Sequence, residues 1–237
     1  MCAKLSFTPL EISAETPVCI GVALDEDLDG WMEAALPYVT DQERAHAERF
    51  VHLIDGVRHL VGRALVRKTL KTVVRPYEVG DFLSTQYGRP YSDQTDIDFS
   101  ISHSGAWVWA AFSRKGQIGI DIEKVRKLRD LLGMAKMFHP QEIAEIQAVP
   151  ENERPAYFYR CWVRKEALLK ANGEGLSKPL DSFCVYTDER RNDWINTDAT
   201  PEMKGWFTQD LAVGEGCFCS VAVTAPVKEI FVLQVKN

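Results

Sequence analysis

Two acidic residues in a strand-like segment are the side chains best suited to chemistry. Asp121 and Glu123 alternate with isoleucines in Gly119-Ile-Asp-Ile-Glu123, so a β-strand there would present both carboxylates on one face. At about 6 Å and an effective dielectric of about 20, two carboxylates repel each other by roughly 3 kcal/mol. A divalent cation between them would reverse that cost. Polar residues also alternate on any half-exposed strand, so the pair alone favours an ordinary surface strand.

A third acid lies in a segment with helical spacing. Glu166 follows Lys165 and stands four residues before Lys170, so Glu166 and Lys170 share one face of the predicted helix. One carboxylate with two ammonium groups suits a phosphate group bridged by a metal ion. The ordinary alternative is a solvent-exposed ion pair, which contributes only about a few tenths of a kcal/mol.

The segment Ser100-Ile-Ser-His103-Ser-Gly105 ends another predicted strand with hydroxyls, an imidazole and backbone amides, which could converge on one ligand. A single histidine is more often structural. The sequence has neither a GxSxG elbow nor a GxxxxGK[ST] loop, so a hydrolase triad and a P-loop are not supported. Its histidines and cysteines lack the spacing of zinc ligands, and oxygen-ligated Mg²⁺ suits the acids better.

Composition restricts the class of protein. The chain has 237 residues, is 46% hydrophobic and can bury a sizeable core, and its formal net charge of −6 argues against broad nucleic-acid binding. Any phosphate-binding site must therefore be a local cluster of cations. The six cysteines form no CxxC pair, and no apolar run approaches the roughly 20 residues that a membrane span needs. We therefore expect reduced thiols and a soluble, cytoplasmic protein.

Helices and strands must position these residues. The apolar run 18–24 predicts a strand that ends in an acidic turn over 25–30. The capping box Thr40-Asp-Gln-Glu43 predicts a helix that continues to about residue 65, with a break near Gly56. Its polar face carries four arginines, for which a solvated surface is the commoner explanation and phosphate binding the rarer one. They are Arg44, Arg49, Arg58 and Arg63.

The rest of the chain repeats this alternation of helices and strands. The last predicted helix has Pro155 in its first turn and Gly173 at its end. Two shorter helices are predicted before it, over 130–137 and 140–147. The predicted strands span 97–102, 107–112, 118–123, 183–187, 204–212, 217–224 and 229–235. We therefore predict an α+β fold whose pattern occurs roughly twice, in an N-terminal half over residues 1–116 and a C-terminal half over residues 117–237.

Three blocks of sequence carry a family resemblance. Residues 99–105, 119–123 and 158–176 closely resemble the signature blocks of the 4′-phosphopantetheinyl transferases, and 180–183 continues the likeness. Their order and spacing resemble the large monomeric, surfactin-synthetase-activating type. The resemblance implies a pseudo-two-fold monomer of two similar α+β halves, with the active site in the cleft between them. It also implies transfer of the phosphopantetheine arm of coenzyme A to a serine of an apo carrier protein, with release of adenosine 3′,5′-bisphosphate.

The resemblance gives roles to residues at matching positions. The C-terminal half would supply the metal ligands and the catalytic helix, and the N-terminal half the nucleotide contacts. The ligands of Mg²⁺, or of Mn²⁺, would be Asp121, Glu123 and Glu166. The catalytic residues would be Glu166 as base toward the carrier serine, Asp121, and Lys170, which with Lys165 would neutralise the pyrophosphate. The coenzyme A contacts nearer the nucleotide would be His103, Ser102 and Arg89.

The first predicted helix departs from the family pattern. Two positions where the family commonly has basic residues for the 3′-phosphate hold Glu43 and His46. A neighbouring arginine could supply the missing charge through a one-residue shift, with His59 as a hydrogen-bonding neighbour. The candidates are Arg44, Arg49 and Arg58, of which we rank Arg44 and Arg58 first.

Two other functions fit parts of this pattern. A catalytically silent module that binds carrier protein and retains the coenzyme A pocket would not need intact acids and Lys170. A coenzyme-A-dependent acyltransferase would need a base or nucleophile near the thioester. Carrier proteins of fatty-acid, polyketide or nonribosomal-peptide synthesis are usually acidic, so the basic run Lys124 to Arg129 is a candidate docking surface. We expect a monomer with no nucleic-acid or membrane partner.

Overall fold

Two four-stranded sheets, each covered by one long helix, make up most of the fold. The computed structural model describes residues 4–7, 11–173, 178–185, 195–196, 204–224 and 227–235. The chain divides into two compact units. Unit 1 consists of Met1–Lys115 and Val227–Asn237, and unit 2 of Gly116–Pro226.

Unit 1 contains the first sheet, with strand order β10-β1-β5-β4. β1 pairs in parallel with β10 and antiparallel with β5, which in turn pairs antiparallel with β4. The strands are β1 Val18–Ala23, β4 Asp98–Ser104, β5 Trp107–Ser113 and β10 Phe231–Val235, and the short hairpin β2 Leu83–Ser84 with β3 Pro90–Tyr91 lies apart from them. The helices are α1 Leu28–Ala35, α2 Asp41–Ala47 and α3 Leu53–Val73.

The core of unit 1 lies between its sheet and α3. Nearly every residue of β1 and β5 is buried, and the fully buried Ile20, Val108 and Phe112 lie on one face of the sheet. They belong to the same apolar cluster as Leu60 and Ala64 of α3. Burial of this kind contributes roughly 25 cal/mol per Å² of apolar surface, which explains why the 21-residue helix stays on the sheet.

Unit 2 contains the second sheet, with strand order β6-β9-β8-β7 and antiparallel pairing throughout. The strands are β6 Ile118–Lys124, β7 Ile195–Asn196, β8 Phe207–Asp210 and β9 Cys217–Val223, and the helices are α4 Leu131–Ala135, α5 Pro140–Ala148 and α6 Arg154–Asn172. α6 has Pro155 in its first turn and ends at Gly173, whose φ of +78° is the left-handed conformation that favours glycine.

The two units share the order of three of their four strands. In unit 1 the opening strand β1 lies beside β5, and β4 lies beyond it. In unit 2 the opening strand β6 likewise lies beside β9, and β8 lies beyond. The α+β fold predicted from the sequence, with its pattern written twice, is therefore confirmed in the topology of each unit.

Four details differ from the prediction. The acidic turn continues into α1, because the Asp27 side chain accepts the Gly30 N–H and caps the helix. The break between α2 and α3 lies at 48–52, and Gly56 instead allows close packing, since a Cβ there would lie 2.7 Å from the Ala47 carbonyl oxygen. Residues 183–185 are not a strand, and 186–187 lie outside the described residues. The last strand pairs with β1, so the structure places 227–237 in unit 1.

No helix in the described residues is both long enough and apolar enough to cross a membrane.

Candidate functional site

A glycine brings β6 into close contact with α6. A Cβ at Gly119 would lie 2.0 Å from the Ala167 carbonyl oxygen, so a side chain there would force the two elements apart. Because side chains alternate along a strand, Asp121 and Glu123 lie on the same face as Gly119 and point toward α6. Both carboxylates therefore share one face of β6, as the sequence predicts, and α6, which carries Glu166, covers that face.

An ion pair joins the strand to the helix. The Lys170 ammonium donates to Asp121 Oδ1 over 2.7 Å. The Asp121 side chain is 7% exposed and that of Lys170 is 31% exposed, so the carboxylate is buried while the ammonium reaches solvent. Lys170 thus provides one positive charge at the buried acid.

Glu166 lies one turn before Lys170 and is half-buried. Burial and the negative charges of Asp121 and Glu123 together raise the pKa of Glu166 to about 7, and the positive charge of Lys170 opposes them. Its Oε1 atom is buried and has no hydrogen-bond partner among the described residues. A buried carboxylate oxygen in this state is better satisfied by a cation or a donor from a ligand.

The three acids are suitable ligands for a hard metal ion, because carboxylate oxygens are the ligands that Mg²⁺ prefers. Among the residues that the structure describes, no group of three or more His, Cys, Asp or Glu side chains is disposed to hold a metal ion. The buried Glu166 Oε1 and the shared negative field of Asp121 and Glu123 nevertheless fit a cation whose remaining ligands come from a substrate or from water.

Lys165 lies away from the acids. Its side chain is fully buried and forms an ion pair of 2.8 Å with Glu142, which is also fully buried. It donates to the carbonyl oxygens of Leu180 at 2.8 Å and Phe183 at 2.5 Å. Of the two lysines beside Glu166, only Lys170 reaches the acids. Helical spacing could have indicated that Lys165 is buried, because it lies four residues after Cys161, on the buried side of α6.

The predicted coenzyme contacts of unit 1 are spread over several positions. Ser102 is buried and His103 is exposed, because neighbouring residues of β4 point to opposite faces. The structure therefore does not bring these two side chains to one face of the sheet. Arg89 donates to Asp98 Oδ2 at 2.5 Å and to the Phe99 carbonyl at 3.3 Å.

The two arginines ranked first from the sequence make other contacts. Arg44 donates to the Leu36 carbonyl at 2.9 Å and lies 3.6 Å from Asp41. Arg58 forms an ion pair of 2.6 Å with Asp55 and also donates to the Gly105 carbonyl.

A cationic pocket of about 330 Å³ lies instead at the junction of α2 and α3 in unit 1. Its positively charged and imidazole side chains come from the end of α2, from the turn that follows it and from one face of α3. Those that matter here are His46, Arg49, His59 and Arg63, with Phe82 and Ser84 also lining the pocket. The sequence pattern assigned Arg63 to a solvated surface, and only the tertiary structure shows that it lines a pocket.

Two acidic residues, Glu43 and Asp81, also line this pocket, and Glu43 is already neutralised. Glu43 accepts two hydrogen bonds from Arg67, at 2.6 and 2.9 Å, and closes the capping box with the Thr40 N–H. Arg67 is fully buried, so the pair is held inside unit 1. Glu43 therefore does not repel an anion as strongly as its position in the sequence predicts.

The histidines of the pocket lie side by side, with ring centroids 4.9 Å apart. Burial, together with the nearby positive charge of Arg63, lowers the pKa of His59 to about 4. His59 is therefore neutral at physiological pH and its buried Nε2, which has no hydrogen-bond partner among the described residues, is open to a ligand, whereas the arginines supply the charge.

Comparisons with known proteins agree with this division of the chain. A family model described as the N-terminal region of 4′-phosphopantetheinyl transferase matches 28–115, and one described as the 4′-phosphopantetheinyl transferase superfamily matches 117–222. The 4′-phosphopantetheinyl transferase Sfp of Bacillus subtilis is 38% identical over 65% of this chain and 68% of its own length. The 4′-phosphopantetheinyl transferase gsp of Aneurinibacillus migulanus is 35% identical over 76% and 75%.

The chain belongs to the 4′-phosphopantetheinyl transferase superfamily. The family resemblance predicted from its three sequence blocks is thereby confirmed, as is the prediction of a transferase that uses coenzyme A as substrate. The two family models meet where the phosphopantetheinyl transferase passes from unit 1 to unit 2.

Proposed function

We propose that this transferase catalyses Mg²⁺-dependent transfer of the 4′-phosphopantetheine arm of coenzyme A to a serine hydroxyl of an apo carrier protein. The observation that best supports the proposal is the buried acid site, where Glu166 and Asp121 share one electrostatic environment with Lys170. Such a site suits phosphoryl transfer, in which alignment and charge neutralisation matter more than covalent chemistry by the protein.

The proposed roles divide the chemistry among three residues. Glu166 accepts the proton of the carrier serine as its oxygen attacks the phosphorus that bears the pantetheine. The bond from that phosphorus to adenosine 3′,5′-bisphosphate breaks, and Lys170 stabilises the charge that develops on the leaving oxygen. Asp121 holds the Lys170 ammonium in place over 2.7 Å.

Asp121, Glu123 and Glu166 would hold Mg²⁺, or Mn²⁺ in its place, and the bound ion would supply charge neutralisation at the pyrophosphate. Lys165 is not included in this proposal, since Glu142 and two carbonyl groups occupy its ammonium. Both the acid site and the cationic pocket come from one chain, so we propose that the monomer is the active species. Neither the described residues nor the comparisons favour a catalytically silent binding module.

The test of this function is direct. The protein is incubated with coenzyme A, Mg²⁺ and an apo carrier protein, and the carrier is then weighed by mass spectrometry. We expect a mass gain of one phosphopantetheine, which a chelator prevents and added Mg²⁺ restores. No mass gain with several carriers from fatty-acid, polyketide and nonribosomal-peptide synthesis would refute the proposal.

We further propose that the 3′-phosphate of coenzyme A binds in the cationic pocket of unit 1, with Arg49 and Arg63 as its charged contacts. Arg63→Met is expected to raise the KM for coenzyme A about tenfold, because a charge-assisted hydrogen bond to a phosphate is lost. The wild type should prefer coenzyme A over 3′-dephospho-coenzyme A, and that preference should be weaker in the variant, which retains only Arg49.

The matched control for the pocket is Lys71→Met, which removes an exposed cation from the same helix outside the pocket. Its ratio of KM values for the two coenzymes should equal that of the wild type. An Arg63→Met protein that keeps the wild-type preference would remove the pocket from coenzyme recognition.

Carrier docking is proposed for the basic run Lys124 to Arg129. Arg126 and Lys127 are exposed, and neither makes an ion pair with any described residue. Replacing both by glutamate is expected to raise the KM for an acidic carrier about tenfold and to leave the KM for coenzyme A unchanged. The carrier KM of the wild type should also rise with salt concentration, because screening weakens the attraction. Unchanged carrier kinetics in the double variant would exclude this surface.

A further inference from the structure

Just beyond the end of β6, the Tyr159 hydroxyl forms hydrogen bonds with the backbone. β6 ends at Lys124, and one further backbone hydrogen bond follows it, from the Val125 N–H to the Gly216 carbonyl at 2.8 Å. The next residue pairs with a side chain: the Arg126 N–H donates to Tyr159 Oη at 3.1 Å, and Tyr159 Oη donates to the Arg126 carbonyl at 3.3 Å. One phenol therefore satisfies both backbone groups of Arg126.

The ring of Tyr159 is fixed by its neighbours. It is 6% exposed, stacks on Phe218 of β9 at 6.4 Å with an interplanar angle of 6°, and meets Phe158 edge-on at 5.5 Å. Aromatic contacts of this kind hold a ring in one orientation. The hydroxyl is therefore held in one place beside Arg126.

The segment that Tyr159 holds is the basic run. Val125 and Leu128 pack against the core of unit 2, whereas the cations between and after them point to solvent. Arg126, Lys127 and Arg129 make no ion pair with residues in the described ranges. This division into inward and outward side chains depends on the backbone conformation at Arg126, which Tyr159 fixes.

Tyr159 also connects this surface to the acid site. It lies seven residues before Glu166 on α6, which is two helical turns, so the two side chains lie on the same side of one helix about 10 Å apart along its axis. We propose that Tyr159 is a positioning residue, which holds the basic run at a fixed place relative to Glu166 so that a docked carrier presents its serine there. The inference rests on the proposed transfer to a carrier protein.

The test is Tyr159→Phe, which removes the hydroxyl and keeps the ring and its stacking. The KM for an acidic carrier is expected to rise about fivefold, since two modest hydrogen bonds are lost. The kcat at saturating carrier and the KM for coenzyme A should stay within about twofold of the wild type. The matched control is Tyr157→Phe, since the Tyr157 hydroxyl on the same helix has no hydrogen bond to any described residue, and its kinetics should equal those of the wild type.

A double-mutant cycle separates this role from a general structural one. In the Arg126→Ala, Lys127→Ala background, adding Tyr159→Phe should raise the carrier KM by less than about twofold, because the surface that it positions has been removed. Three results would each overturn the inference: a fivefold rise in the carrier KM in both backgrounds, a fivefold fall in kcat or rise in the KM for coenzyme A, or an unchanged carrier KM. If the wild type modifies carriers and Tyr159→Phe behaves identically, only the inference fails; if the wild type modifies none, the proposed function fails with it.

Discussion

Replacing Glu166 by glutamine is expected to abolish phosphopantetheine transfer while leaving the fold intact. The amide keeps the size of the side chain but can neither accept the serine proton nor contribute negative charge to a metal ion. A general base typically contributes a factor of about 10² to 10⁴ in rate, and loss of a metal ligand adds to it. We therefore expect a loss of at least about 10³-fold in kcat/KM, measured by the rate of carrier mass gain.

The stability of the variant tests the same site without ligands. Glu166 shares a negative field with Asp121 and Glu123, so its replacement by a neutral group removes mutual repulsion. In the presence of a chelator, the Tm of Glu166→Gln should equal or exceed that of the wild type. The matched control is Glu153→Gln, because Glu153 is exposed at the start of α6 and makes no capping hydrogen bond. Wild-type transfer by a folded Glu166→Gln protein would remove Glu166 from the chemistry.

Lys165→Met should have the largest effect on stability. The substitution leaves the Glu142 carboxylate fully buried without its cation, and breaking a buried ion pair from one side typically costs about 3–5 kcal/mol. Glu142 also accepts hydrogen bonds from the Val185 N–H at 2.6 Å and the His139 N–H at 3.0 Å, so the disturbance would reach α5 and the segment after α6. Urea denaturation followed by circular dichroism measures the loss.

Two comparisons distinguish this structural role from phosphate binding. Adding Glu142→Gln to Lys165→Met should recover some of the lost stability, because the unpaired buried charge is gone. The Lys170 ammonium reaches solvent, so Lys170→Met should lose less stability than Lys165→Met but more activity. A Lys165→Met protein of wild-type stability with a raised KM for coenzyme A would instead favour the phosphate contact that the sequence resemblance implies.

Local patterns predicted those features of the site that local geometry controls. Alternation along a strand suffices to place Asp121 and Glu123 on one face, and a capping box suffices to start α2 at Asp41. Helical spacing likewise brings Glu166 and Lys170 together on one side of α6. These relations span a few residues, so the sequence contains all that is needed to infer them.

Local patterns could not predict the contacts between distant segments of the chain. Lys165 has the same charge and nearly the same position as Lys170, but it faces Glu142 because of how α5 packs on α6. Arg67 neutralises Glu43 across the junction of α3 with α2, and Arg63 comes to line a pocket only there. Helical spacing can indicate that a cation is buried, but the partner that it meets and its availability to a ligand depend on tertiary packing, which short-range spacing does not encode.

The parallel pairing of β10 with β1 makes the second unit an insertion within the first. During synthesis, unit 2 is made as one continuous stretch, whereas the sheet of unit 1 can be completed only when β10, which follows unit 2, has been made. A change in β10 would therefore disturb the sheet beside Val18 and Ile20, far along the chain from the residues that were changed.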